Sequence, residues 1–474
     1  MPTTPKVAAL PHQRAGTQFL RSRTAAALFD EQGLGKSKQL IDAIAEEINA
    51  GALDGALIVC PNILKGTWGE EVERHSSMRY AVFGAGHKAR REAFRSLRAA
   101  IYVINYEAVP AEIASLRALL RFKRLALVLD ESHRIKTPTA KITRAILSLR
   151  ADAKKRYIMT GTPVANKPDD VWSQMLFLDD GVTLGPTFDG FKRRYRLGTG
   201  YRNINDLRDK LAAVSLRREK EGTIDLPSKE VVRLNVRLTG RQNQLYVQLR
   251  DELAIWIRAM NGEEVLRAAE NILARLVTLA QLASNPKLLD SSYIETPAKF
   301  VALDKLVPLF AAESAGKLII WTSFVDNIPI LLSRYDTLFP VAIYGDVDTK
   351  SRNDAVSSFK RDSRVRLLIA NPAAAREGLT LTEARTAVYL DRTFNLVDFL
   401  QSQDRIHRLS QQYACQIVLL IAENTIDEFI DFTLAQKHRL ARFVQSDQHD
   451  ISPDDLALQK PAILQALLSP SIHS

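Results

Sequence analysis

The chain has 474 residues, 46% of them hydrophobic and 25% charged, and its 65 Lys and Arg against 54 Asp and Glu give a formal net charge of +11. That length exceeds what one hydrophobic core sustains, so two or three globular domains are expected; the composition excludes a disordered, collagenous or disulfide-stapled chain. The basic excess favours a polyanionic partner.

The first residues, MPTTPKVAALPHQR, lack the apolar core of a signal peptide, and no apolar run is long enough to cross a bilayer. The expected location is therefore the compartment of synthesis, with no membrane partner: cytoplasm in a bacterium, an archaeon or a virus-infected host, nucleus in a eukaryote. Leu10, Pro11, His12 and Gln13 open a helix-like run with Phe19 and Leu20. The Gln13 amide offers a donor and an acceptor, the pair that the edge of adenine requires.

Residues 24–48, TAAALFDEQGLGKSKQLIDAIAEEI, predict a buried strand, a glycine loop and a helix with apolar Leu40, Ile41, Ile44 and Ile48 on one face. Such a loop cradles phosphate. The amides around Gly33, Leu34 and Gly35 turn inward on the anion, Lys36 reaches the terminal phosphates, and the Ser37 hydroxyl ligates magnesium. The general pattern has a glycine where this chain has Asp30.

Four further apolar runs, ALIVCP (56–61), IYVINYE (101–107), LALVLDESH (125–133) and RYIMTGTP (156–163), alternate with helical stretches. This is the pattern of a parallel sheet covered on both faces, with ligands at the carboxyl ends of its strands. Cys60 lies in one such run, and Cys415 in a similar run far downstream, so both are expected in cores rather than in a disulfide or metal site. At the end of LVLD, Asp130 and Glu131 enter the crevice together: the first suits the hydrated magnesium on a nucleotide, the second suits orienting and deprotonating the attacking water.

DEQGLGKS, VLDESH and MTGTPVAN, together with DRIHRLSQ downstream, resemble the Swi/Snf family of ATP-driven DNA translocases in helicase superfamily two. The resemblance runs from about Leu10 to about Leu440 and extends to IVCPNILKGTWGEEV, VINYE, NKPDDVWSQMLFLDD, LRREKEGTIDLPSK and LVTLAQLASNPKLL. It implies an α/β protein of two RecA-like parallel-sheet lobes with helical insertions, using ATP and Mg2+. In that family an acidic residue commonly stands at the position of Asp30. His133, Thr160 and Thr162 would couple the nucleotide state to the grip on DNA, with DNA contacts expected at Lys65, Trp68, Arg193, Arg194 and Thr322.

The expected divisions are a first lobe over 1–180, helical additions and a lobe-linking region over 181–296, a second lobe over 297–445, and a tail over 446–474, either a short packed helix or disordered. The basic run HKARREAFRSLR (87–98) and the arginine–aromatic run FKRRYRLGTGYR (191–202) are candidate grips on a phosphate backbone. In the second lobe, strands are expected at KLIIWTS, VAIYG, VRLLIA, TAVYLD and QIVLLI (317–323, 341–345, 365–370, 386–391 and 416–421) with no second phosphate loop. NPAAAREGLTLTEA (371–384) departs from the family's commonest form at its alanines and at Arg376. Arg405 and Arg408, three apart, are expected on one helical face. With Gln401, and by resemblance to the family's Q-x-x-D-R-x-H-R motif, they would complete the nucleotide site of the first lobe and stabilise charge on the transferred phosphoryl.

The function so implied is a monomeric ATPase motor tracking along double-stranded DNA through its phosphates, acting on a DNA-bound protein or recruited by one. Two alternatives stay open at this point: a strand-separating DNA or RNA helicase, and a non-catalytic clamp that uses ATP only to change shape.

Overall fold

In the computed structural model the described residues are 3–445 except 85, 87–93, 95, 97, 199, 261–263, 265, 266, 313–315, 346 and 375–378. Most of the basic run 87–98, Arg376 and the tail 446–474 lie outside them. The chain divides into two compact units. One holds the chain up to Asp225 and again from Lys437, and the other holds Leu226–Gln436. The division falls inside the stretch 181–296 that the sequence suggested as a separate region, so that stretch contributes to both units. A single helix, Ile426–Val444, carries the chain across the second division.

The first unit is built on seven strands, β1 (Ala25–Leu28), β2 (Gly55–Cys60), β3 (Tyr80–Val82), β4 (Ile101–Asn105), β5 (Leu125–Asp130), β6 (Lys155–Met159) and, past a two-stranded antiparallel pair β7 (Arg196–Leu197) and β8 (Gly200–Tyr201), β9 (Ser215–Leu216). They form one sheet in the order β3-β4-β2-β5-β6-β1-β9, and every pairing is parallel. The apolar runs are continuous because both faces are covered: all six residues of β2 are buried. On one face, helix α2 (Lys36–Asn49) packs Leu40, Ile41 and Ile44 against Leu28, Ile58 and Met159, while helix α3 (Leu64–His75) adds Trp68 and Val72. Truncating a core leucine of this kind costs about 2–5 kcal/mol. Strands β5, β6 and β1 are neighbours in the sheet although they lie far apart in sequence, so the glycine loop, the acidic pair and the threonine loop all leave the same edge side by side.

The second unit has six parallel strands, β10 (Lys229–Val236), β11 (Lys317–Trp321), β12 (Val341–Ile343), β13 (Leu367–Ala370), β14 (Ala384–Tyr389) and β15 (Cys415–Ala422), in the order β10-β15-β14-β11-β13-β12. Separate apolar clusters cover its two faces, one around Trp321, Phe359 and Tyr389, the other around Phe300, Leu303 and Ile328. The α/β class expected from the sequence is the one found. Both cysteines are buried and neither is in a disulfide. No helix among the described residues is long and apolar enough to cross a membrane.

Besides the short pair β7–β8, three strands of the two parallel sheets were not anticipated among the described residues: β3, β9 and β10. The first two span three and two residues, too short to show a period. In β10, KEVVRLNV, five of eight residues are exposed, because it closes the sheet edge beside β15 alone.

Candidate active site

The loop after β1 is shaped by two glycines in the left-handed region, Gly33 at φ 91° and Gly35 at φ 76°. A Cβ on Gly35 would lie 2.4 Å from the Gln13 amide nitrogen, so helix α1 (Pro11–Arg21) and the loop approach as closely as only glycine permits. Helix α2 starts at Lys36 with no side-chain cap. Its N-cap is Gly35, which has no side chain to cap the first-turn amides. The Lys36 ammonium lies across the loop, donating to the carbonyls of Asp30 at 2.7 Å and Glu31 at 3.2 Å. Burial pulls its pKa below the ordinary lysine range, against the opposing charges of Glu131, Asp30 and Asp130. Ser37 follows, half-buried, in the same turn. His12 Nε2 is 3.0 Å from the Leu34 carbonyl, and the Gln13 side-chain oxygen accepts the amide of Leu10 at 3.0 Å. Gln13 thus caps its own helix with one end of its amide and sets the other against the loop.

At the end of β5, Asp130 Oδ2 accepts the indole N–H of Trp68 at 2.9 Å and Oδ1 accepts the amide of Glu131 at 3.0 Å. Its backbone carbonyl accepts the Tyr106 hydroxyl at 2.7 Å. Glu131 takes a left-handed conformation at φ 51°, ψ 51°, which for a residue with a side chain costs about 1–2 kcal/mol. Its Oε2 accepts the Thr160 hydroxyl at 3.0 Å and lies 3.3 Å from His133 Nδ1, while Thr160 Oγ1 also contacts His133 Nδ1 at 3.2 Å and accepts the Thr162 amide at 3.1 Å. Ser132 donates to the Gln174 side chain, which holds the Pro163 carbonyl, so the acidic turn and the threonine loop are tied twice.

The two carboxylates are driven apart in acidity. Burial and the charge of Glu131 raise Asp130. For Glu131, burial acts in the same upward direction but is outweighed by the hydrogen bond and charge of His133, by Lys36 and by Thr160, which together leave it lowered. Two neighbours, Gln32 Nε2 and Thr162 Oγ1, are buried with no hydrogen-bond partner, an arrangement that costs about 1–3 kcal/mol per group until a ligand or water satisfies it. The oxygen donors of Ser37 and Asp130 suit a hard cation such as Mg2+.

Asp30, the residue that departs from the general loop pattern, is fully buried in an ion pair with Arg218, whose guanidinium spans both carboxylate oxygens. Gln39 completes the set, with Nε2 3.0 Å from Asp30 Oδ2. Arg217 donates to the carbonyls of Phe29 at 2.7 Å and Gly161 at 3.3 Å, and the Lys220 amide donates to Glu31 Oε2 at 2.7 Å. These partners were missed from the sequence. The only signal was the arginine pair of LRREKEG, with nothing to say what it faces.

In the second unit the motif residues take a different form from the one expected. The helix Leu396–Gln403 ends before them, so Arg405 and Arg408 stand on a turn rather than along one helical face. Arg405 is 2% exposed and donates to the Leu379 carbonyl at 3.1 Å; the half-buried Arg408 donates to Thr380 Oγ1 and to the Asp404 carbonyl, both at 2.9 Å. Gln401 is buried. Lys36, Asp130, Glu131, His133, Thr160 and Thr162 therefore come together in one unit, and Gln401, Arg405 and Arg408 belong to the other.

Two of the expected DNA contacts are corrected. Trp68 is 2% exposed and spends its N–H on Asp130, and Thr322 is fully buried with its hydroxyl on Asp391 Oδ2 at 2.9 Å. Neither reaches the surface, because each donates to a buried carboxylate. Lys65 is half-buried and donates to the Phe83 carbonyl at 2.9 Å. Arg193 and Arg194 are exposed on the helix Phe188–Tyr195, Arg194 in a two-pronged pair with Asp206.

The chain is similar in sequence to known proteins. The chain is 26% identical over 442 residues to an uncharacterized ATP-dependent helicase of Mycoplasma pneumoniae, covering 90% of this chain and 41% of that protein. It is 25% identical to the chromodomain-helicase-DNA-binding protein 1-like of Danio rerio, covering 95% and 46%. It thus spans less than half the length of these curated relatives. Among solved structures, the Sulfolobus solfataricus SWI2/SNF2 ATPase core in complex with dsDNA aligns at 27% identity and a TM-score of 0.45, covering 96% of this chain and 97% of that one. A helicase conserved C-terminal domain matches residues 298–410. With the SNF2-related domain matching residues 12–288, more than half of its length, the chain belongs to the SNF2-related family.

Proposed function

We propose that this chain is an ATP-hydrolysing motor that tracks along double-stranded DNA. The observation that carries the reading is the convergence of Lys36, Asp130, Glu131 and Thr160 at the ends of three adjacent parallel strands, with the two carboxylates pushed apart in acidity. Gln13 faces the adenine. The amides of Gly33, Leu34 and Gly35 receive the phosphates, and Lys36 exchanges its loop carbonyls for the terminal phosphate oxygens. Ser37 and Asp130 would hold Mg2+, which supplies neutralising charge on the triphosphate. Glu131, ionised and aimed by Thr160 and His133, takes the proton of the attacking water as its oxygen bonds to the γ-phosphorus and the β–γ bridging oxygen leaves with ADP. Thr160 and Thr162 report that change to the DNA-gripping surface. Arg405 and Arg408 serve charge stabilisation on the transferred phosphoryl, with Gln401 as a further ATP contact.

DNA is held through its phosphates, with Lys65, Arg193 and Arg194 as candidate contacts and the net charge of +11 as the long-range attraction. The test is phosphate release by the full chain with and without duplex DNA. Stimulation by the duplex, with an affinity that falls steeply with salt and varies little with sequence, is expected. Turnover indifferent to DNA would refute the motor.

A further inference from the structure

The ATPase reading leaves unexplained why a buried carboxylate stands in a loop built to receive a polyanion. Asp30 has no exposed side-chain surface, and Arg218, 17% exposed, pairs with it through two nitrogens. The same guanidinium donates to Gln39 Oε1 at 2.8 Å and to the His12 carbonyl, so it joins the loop to both α1 and α2. Gly16 leaves room for this junction: a Cβ there would lie 1.6 Å from Gln39 Oε1. The main chain repeats the attachment. The Phe29 amide donates to the Leu216 carbonyl at 2.8 Å and the Glu31 amide to the Arg218 carbonyl at 2.9 Å. Meanwhile the backbone carbonyl of Asp30 is the seat of the Lys36 ammonium. One residue therefore carries the lysine on its backbone and the arginine on its side chain.

We propose that Arg218 is a positioning residue for the phosphate loop: it neutralises Asp30, keeps that carboxylate turned away from the triphosphate, and so fixes the amides and the lysine that receive it. The inference rests on the ATPase reading. Without the guanidinium, Asp30 is an unpaired buried anion next to the incoming phosphates, and it weakens nucleotide binding by like-charge repulsion as well as by loosening the loop. The water-activating group is held by other bonds, from Thr160 and His133, so the chemical step is little changed.

The experiment uses the full chain and three variants, R218Q, R218K and the double variant D30N/R218Q, with a fluorescent ATP analogue for affinity, phosphate release for kcat and KM, and a thermal melt. R218Q is expected to raise KM and the dissociation constant roughly 10- to 100-fold, the usual cost of losing an outer partner, with kcat within about threefold of the parent. R218K is expected to fall between, since one ammonium cannot span both oxygens. D30N/R218Q, which removes the stranded charge, should recover most of the lost affinity. A purely structural role predicts the opposite pattern, a lower melting temperature in all three variants without recovery in the double one, and that result overturns the proposal. So does an unchanged KM in R218Q. If R218Q does not fold, R218K and the double variant decide by the same criteria. A parent chain that neither binds the analogue nor releases phosphate overturns the ATPase reading itself; a fully active parent with unperturbed variants overturns only the role of Arg218.

Discussion

Replacing Glu131 by glutamine is expected to separate nucleotide binding from hydrolysis. Glutamine keeps the length of the side chain and an acceptor oxygen for the Thr160 hydroxyl now 3.0 Å away. It removes the charge that, in the proposed mechanism, receives the water's proton. Hydrogen bonds to a charged acceptor contribute about 1.5–3 kcal/mol against about 0.5–1.5 for neutral ones, so the bonds from Thr160 and His133 weaken by roughly 1 kcal/mol each. Relief of the repulsion with Asp130, which burial and Glu131 hold above the ordinary carboxylate range, acts the other way. The net change in folding stability is expected to stay within about 1 kcal/mol. Turnover is expected to fall about 10²–10⁴-fold, the usual contribution of a positioned general base, or about 2.7–5.4 kcal/mol of barrier at 1.36 kcal/mol per decade. Phosphate release measures the loss, and a fluorescent ATP analogue checks that binding survives. Turnover within threefold of the parent would refute the role of Glu131 as base. Loss of binding in parallel with turnover would mean that Glu131 holds the site together rather than activating water.

Trp68→Phe keeps most of the buried ring but removes the donor at 2.9 Å from Asp130. It is expected to cost about 1–3 kcal/mol in a urea titration while leaving DNA affinity within twofold; a large loss of DNA binding at unchanged stability would restore Trp68 as a contact. Lys299, fully buried, pairs with Asp427 and donates to the Leu390 carbonyl at 2.9 Å. Lys299→Ala strands Asp427 and should destabilise the second unit by about 3–5 kcal/mol in the same titration; a cost below about 1 kcal/mol would show the pair to be dispensable. Arg408→Ala is expected to lower kcat about 10³-fold, with its melting temperature nearly unchanged because the guanidinium is half-buried on a turn. Normal steady-state hydrolysis by this variant would remove Arg408 from the chemistry.

What was legible in the sequence follows from what is local or periodic. Runs such as ALIVC and LALVLD announce strands buried on both faces, and the glycines before Lys36 announce the loop, because each signal sits within a few residues. The Asp30–Arg218 pair joins positions 188 apart, and no spacing rule reaches that far. Trp68 and Thr322 were misplaced for a related reason: an amphipathic side chain near a motif suits a DNA contact as well as it suits a buried donor, and only the fold reveals the carboxylates, Asp130 and Asp391, that claim them. The arginine pair was read on a helix that in fact ends at Gln403. Three-residue spacing places two groups on one face only where the helix continues.

The left-handed backbone at Glu131 constrains how this chain can drift or be redesigned. A regular strand sends successive side chains to opposite faces of its sheet, and it is the twist at this residue that interrupts the alternation and lets two adjacent acids act on one another. A glycine would adopt the same twist without the strain of about 1–2 kcal/mol, but it would forfeit the contacts with Thr160 and His133, so the strained backbone is held in place by the side chain that carries the chemistry.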